Sequence, residues 1–159
     1  MKLLINRFII PSLVLVAFLD QLTKHWVISS IKLGYQIPVI ENFFNLTLTH
    51  NKGVAFGIFA NFPDVVRTAL LGVITLAAIG VLIMLLIKQY AHDTIAQFAI
   101  SIILGGAIGN IIDRVRFGYV IDFLDFYLRN YHWPAFNLAD SAICVGVITL
   151  IFRPGNLQK

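Results

Sequence analysis

Four apolar runs, each close to the length of a membrane-spanning helix, take up most of this 159-residue chain. A helix needs about 20 residues to cross a bilayer. The runs lie at about 8–27, 66–87, 94–112 and 135–153. Asp20 and Lys24 interrupt the first; the second is uncharged from 68 to 87, the third throughout, and the fourth holds Asp140 alone before Arg153. With 58% hydrophobic and only 13% charged residues, and a mean hydropathy of +0.84, the composition is that of an integral membrane protein. The expected fold class is therefore all-α, a four-transmembrane-helix bundle forming one membrane-embedded domain over residues 1–159. Backbone facing lipid must satisfy its own hydrogen bonds, so the polar connections belong at the membrane surface or over a cavity.

The basic start, Met1-Lys-Leu-Leu-Ile-Asn-Arg7, followed by an apolar run has the shape of a secretory signal. No small-x-small cleavage site follows it, and we read it as a retained first helix. An even number of spans puts both termini on one side. Lys2, Arg7, Lys88, Arg153 and Lys159 fall there, and Lys24, Lys32, Lys52, Arg67, Arg114, Arg116 and Arg129 on the other. Charge bias alone thus leans against cytoplasmic termini. The net charge of +4 comes from scattered residues with no aromatic-basic platform, so nucleic acid is not an expected partner; attraction to anionic membrane lipids accounts for it. Cys144 is the sole cysteine and reads as a small buried helix residue. The four histidines are dispersed, so no metal and no cofactor is expected.

Between the first two runs, Phe44, Leu46 and Leu48 alternate with Asn45, Thr47 and Thr49. A period of two marks a half-buried strand. Asn51-Lys-Gly53 supplies turn chemistry, and residues 54–57 can return as a partner, giving a small sheet within about 35–58. Gly105-Gly-Ala-Ile-Gly109 is a small-xxx-small pattern that lets helices approach closely. The segment 113–133 is polar and aromatic and returns to the side of the sheet.

Polar chemistry therefore collects on one membrane face. Asp20-Gln-Leu-Thr-Lys24 places an acid and a base one helical turn apart, either as an interfacial pair with Lys24 reaching for the headgroups or as part of a site. Asn110 and Arg114, in Gly109-Asn-Ile-Ile-Asp-Arg114, share a helix face if the helix continues, and together suit peptide carbonyls or a carboxylate. Asn137, in Phe136-Asn-Leu-Ala-Asp140, can cap the last helix and leave Asp140 in its first turn, where the helix dipole favours the anion. Asp122 sits in Gly118-Tyr-Val-Ile-Asp-Phe123. Carboxylates among such apolar neighbours are costly, and one kept there has a partner or a task. Two of them close together can share a proton and act on water. Asp113 and Asp125 compete with Asp122 for this role. Asp113 adjoins Arg114 and suits a structural pair, whereas Asp125 would share the face of Asp122 in a helix and oppose it in a strand.

Taken together, Asp-Gln-x-Thr-Lys, then Asn-x-Gly-x-Ala-Phe, then Gly-Asn-x-x-Asp-Arg with Val-x-Asp-Phe, then Phe-Asn-x-Ala-Asp, strongly resembles the lipoprotein signal peptidases (signal peptidase II) of bacteria, over nearly the whole chain. The resemblance implies a four-helix inner-membrane bundle with a small extracytoplasmic β-sheet and cytoplasmic termini. It implies an aspartic endopeptidase that removes the signal peptide of prolipoproteins just before a diacylglyceryl-modified cysteine. By motif, the catalytic pair is Asp122 and Asp140, with Asn51, Gly53, Asn110, Asp113, Arg114, Asn137, Asp20 and Lys24 binding substrate or supporting the site. A monomer is expected. The rival reading is a small transporter or proton-relay subunit using intramembrane carboxylates. It calls for polar residues at mid-bilayer depth, whereas here they gather at the ends of the runs.

Overall fold

The structure, a computed structural model, describes residues 7–53 and 62–153. Four helices alternate with four short strands: α1 (Ile9–Ser30), β1 (Gln36–Ile40), β2 (Phe44–Asn51), α2 (Asp64–Lys88), α3 (Thr94–Phe117), β3 (Val120–Leu128), β4 (Tyr131–His132) and α4 (Leu138–Ile151). Local chemistry sets several of the boundaries. The Asp93 side chain accepts from the Ile95 and Ala96 amides and starts α3. Gly118 ends it in the left-handed conformation at φ 77°, its N–H returning to the Arg114 carbonyl. Asn137 and Asp140 form a reciprocal capping box at the start of α4.

Helix α3 is the axis of the bundle. Fourteen of its residues are buried, against only Arg67 in α2. Glycines make this possible. A Cβ on Gly105 would lie 2.6 Å from the Leu13 carbonyl of α1, and one on Gly109 would lie 2.4 Å from an Asp20 carboxylate oxygen. The small-xxx-small pattern thus brings α1 close and makes room for a charged side chain between the helices. Helices α2 and α3 are long and apolar enough to cross a membrane, and α4 is a shorter apolar helix. The apolar residues that α2 exposes along its length, among them Val73, Ile74, Leu76, Val81 and Ile83, suit lipid rather than water.

The strands form one antiparallel sheet in the order β1-β2-β3-β4. Its core joins Leu48, Ile121 and Phe123 to Val27 and Ile31 at the end of α1, so the sheet rests on one end of the bundle. The sheet differs from its sequence expectation. The segment 113–133 does return to the side of the sheet, and it supplies the end of α3 and two strands of the sheet itself, because α3 runs on to Phe117 and Val120–Phe126 then pair with β2. The partner expected at residues 54–57 lies outside the described residues; β2 pairs instead with β1 and β3. Asn42, at φ 62°, turns the β1–β2 hairpin, a conformation asparagine tolerates.

Candidate active site

At the sheet end of the bundle, α1, α3, α4, β2 and β3 deliver polar side chains to one place. The foundation is a buried ion cluster. Lys24 Nζ lies 2.8 Å from both Asp20 and Asp113 and donates to Asn110 Oδ1 at 3.0 Å. An ammonium has three protons and no acceptor, and here each proton has a partner. Asp20 also accepts from the Ala139 amide of α4 at 3.0 Å. Asp113 accepts from the Ile121 amide of β3 at 3.0 Å and from Gln21 Nε2 at 2.8 Å. The cluster therefore ties three helices and the central strand together. Lys24 is only 1% exposed and does not reach for headgroups as the interfacial reading expected; Gly109 gives the Asp20 carboxylate a place between the helices. Asp113 pairs with Lys24, not with its neighbour Arg114, because successive helix positions point about 100° apart.

Asn110 carries this order outward. Its Oδ1 accepts from Lys24 and, at 3.2 Å, from Asn137 Nδ2, so its Nδ2 faces Asp140 Oδ1 and donates at 2.8 Å. Asn137 joins the two aspartates. Its Nδ2 donates to Asp122 Oδ1 at 2.7 Å. Its Oδ1 accepts from the Asp140 amide at 2.9 Å, while its own amide donates to Asp140 Oδ2 at 3.3 Å. From the sheet side, Asn51 Nδ2 donates to Asp122 Oδ2 at 2.7 Å. Asn51 Oδ1 accepts from the Gly53 amide at 2.7 Å, closing a tight turn in which Gly53 has φ +85°. A side chain at Gly53 would also strike Leu71 of α2.

Asp122 is 1% exposed. Burial, reinforced by the nearby negative charge of Asp140, pushes its carboxyl up to about 7 against the opposing hydrogen bonds from Asn51 and Asn137. Asp122 therefore exchanges a proton near neutrality. Arg114 is half-buried, and the carboxylates acting on it are Asp140, Asp122 and Asp113.

The structure thus gathers Asp20, Lys24, Asn51, Asn110, Asp113, Arg114, Asp122, Asn137 and Asp140 in one connected site, with Gly53 shaping its edge. Asp125 is elsewhere. It accepts from Asn45 Nδ2 at 3.0 Å and Gln36 Nε2 at 3.4 Å, and meets His132 Nδ1 at 2.8 Å, on the opposite side of the extended strand from Asp122. Gln21 was not singled out in the sequence, yet it also donates to the Gly109 carbonyl at 3.1 Å. Its place inside the Asp20–Lys24 motif was the available signal. Among the described residues, no three His, Cys, Asp or Glu side chains converge as a metal site would require.

Comparison with known proteins finds relatives over nearly the whole chain. The family model described as signal peptidase (SPase) II matches residues 12–154. A lipoprotein signal peptidase of Syntrophus aciditrophicus is 47% identical over 145 residues, covering 91% of this chain and 90% of that protein. One from Syntrophotalea carbinolica is 48% identical over 156 residues, covering 95% and 92%. A bacterial membrane enzyme solved by the in meso method at 1.9 Å resolution superimposes with a TM-score of 0.79 at 36% identity, covering 90% of this chain and 89% of that one. These matches give no support to a transporter or proton-relay subunit.

Proposed function

The chain belongs to the signal peptidase II family, and from that premise we propose that it removes the signal peptides of prolipoproteins by aspartic-type hydrolysis, with Asp122 and Asp140 as the acid/base pair. One observation carries the residue assignment: a single residue, Asn137, donates to both carboxyl groups, from its side-chain amide to Asp122 and from its backbone amide to Asp140, and burial beside Asp140 raises the Asp122 carboxyl to about 7.

The chemistry follows from a pair that holds one proton. The ionised member takes a proton from a water lying between the two carboxyls, and the water oxygen attacks the scissile carbonyl carbon. The protonated member hydrogen-bonds the carbonyl oxygen and passes its proton to the leaving amine when the tetrahedral intermediate collapses. The pair titrates as a unit, so this scheme attaches the shared proton to the dyad rather than to one residue. Asn51, Asn110 and Asn137 orient the carboxyls, and Arg114 supplies positive charge beside the developing oxyanion. No protein nucleophile and no metal takes part.

The enzyme is read as a monomeric bundle of four spans in the bacterial inner membrane, with cytoplasmic termini and the sheet on the extracytoplasmic face. Its substrate is a diacylglyceryl-modified prolipoprotein cut just before the modified cysteine. A lipid-anchored substrate approaches sideways from the bilayer, which suits a site at the meeting of helix ends and sheet. The test is to incubate detergent-solubilised protein with such a prolipoprotein, with and without EDTA. Cleavage before the modified cysteine, undiminished by EDTA, is expected; a chelator-sensitive activity restored by zinc contradicts the mechanism.

A further inference from the structure

A polar cavity lies at the other end of the bundle. Helix α3 begins at Thr94 and carries Asn110 of the site sixteen positions later, roughly 24 Å away along the axis. There the α2–α3 turn and the end of α4 enclose about 380 Å³, lined by residues 87–95 and by Arg153. Its walls carry Lys88, His92 and Arg153 against one acid, Asp93. Asp93 is already engaged, its Oδ1 accepting from the Ile95 and Ala96 amides at 3.0 Å and lying 3.7 Å from Arg153 Nη2. Arg153 Nε is buried without a hydrogen-bond partner among the described residues. A guanidinium cannot shed its charge and has only donors to offer, so this N–H calls for an acceptor.

The cavity is held in shape. The Tyr90 hydroxyl donates to the Arg153 carbonyl at 3.2 Å, and Gln97 Nε2 donates to the Tyr90 and Ala91 carbonyls at 3.2 and 2.6 Å. Ile87 and Ile95, both substantially exposed, continue its rim into the apolar flanks of α2 and α3. An anionic acceptor suits this excess of cationic groups, and one that brings apolar chains suits the exposed isoleucines of the rim. We infer that this cavity binds the phosphodiester headgroup of an anionic phospholipid, with Arg153 and Lys88 as its cationic contacts and acyl chains lying along Ile87 and Ile95. Basic pockets at helix ends suit such headgroups. The inference rests on the membrane reading of the bundle and is independent of the peptidase reading.

The experiment follows thermal unfolding of the full chain in uncharged detergent with added phosphatidylglycerol, phosphatidylcholine or inorganic phosphate, beside lipid occupancy by native mass spectrometry. Phosphatidylglycerol is expected to raise Tm by several degrees at saturation, as a ligand bound only by the folded state does, while the other two leave it within a degree. Arg153→Lys keeps the charge but lacks the Nε donor. It and Lys88→Gln are expected to unfold like the wild type without added lipid, to cut phosphatidylglycerol occupancy at least threefold, and to cleave prolipoprotein at the unchanged basal rate. Equal effects of phosphatidylglycerol and phosphatidylcholine overturn the proposal, as does stabilisation by inorganic phosphate alone or full retention of binding in both variants. Loss of cleavage by the wild type would overturn the peptidase reading and leave the lipid result standing.

Discussion

Asp122 and Asp125 stand three residues apart on β3 and are 1% and 4% exposed, yet their surroundings differ in kind. Asp125 meets an imidazole and two amides, one residue from each other strand of the sheet: Gln36, Asn45 and His132. Asp122 meets two amides and the field of a second carboxylate. An imidazole and two amides that converge on one buried carboxylate make a fastening between strands. A carboxylate that raises its neighbour's affinity for a proton makes an acid/base pair. Burial alone does not distinguish the two aspartates; the identity of the nearest titratable group does.

Breaking the pair from its other side has the largest expected effect. Asp140→Asn keeps the size of the side chain but loses one of its two acceptor oxygens and cannot exchange the proton, and cleavage of a diacylglyceryl-modified prolipoprotein should fall by about 10²–10⁴-fold with normal membrane insertion. Asn137→Asp comes next. It keeps the cap oxygen for α4 but replaces the donor to Asp122 with a third carboxyl group. Turnover should drop severely, and the unfolding temperature should fall too, because a third buried carboxyl group leaves the acceptors of the lost amide unserved; Asn137→Ala should lose about 1 kcal/mol of cap stability as well. An unaffected rate in Asn137→Asp would mean that the bridge between the aspartates is incidental.

Smaller effects sharpen the comparison at the sheet edge. Asn51→Ala removes one donor from Asp122, and Gly53→Val forces a side chain into a left-handed turn against Leu71. Both should reduce turnover several-fold with little loss of bundle stability, measured as rate beside thermal unfolding. A separate effect falls on stability itself. Because the Asp122 carboxyl is raised to about 7, the folded state holds its proton more tightly than the unfolded chain does. That contribution is complete below about pH 3.8, the ordinary value, and is lost as pH rises through about 7. Asp122→Asn, which never ionises, should therefore gain unfolding temperature over the wild type at pH 8 and gain little or none at pH 4.

The helices were legible because apolar length is a one-dimensional property: four runs in the chain correspond to α1 to α4. Asp140 in a helix first turn and Asn137 as its cap were legible because capping is local in sequence. The sheet was read only in part. β2 announced itself by alternation, but buried positions crowd β3, from Val120 through Phe123 and again at Asp125, which erases the period of two. The sequence left Lys24 open between the headgroups and the site, because its acceptors Asp113 and Asn110 come from another helix, some 90 residues away. The choice between Asp122 and Asp125 rested on motif resemblance, since their separation by three residues has opposite meanings in a helix and in a strand.

The most direct measurement sets Asp122→Asn beside Asp125→Asn across pH in one cleavage assay with a diacylglyceryl-modified prolipoprotein. The account predicts that Asp122→Asn is inactive at every pH. It predicts that Asp125→Asn retains most activity and keeps the wild-type decline above about pH 7, where the pair loses its shared proton. An active Asp122→Asn with an inactive, normally folded Asp125→Asn would contradict it.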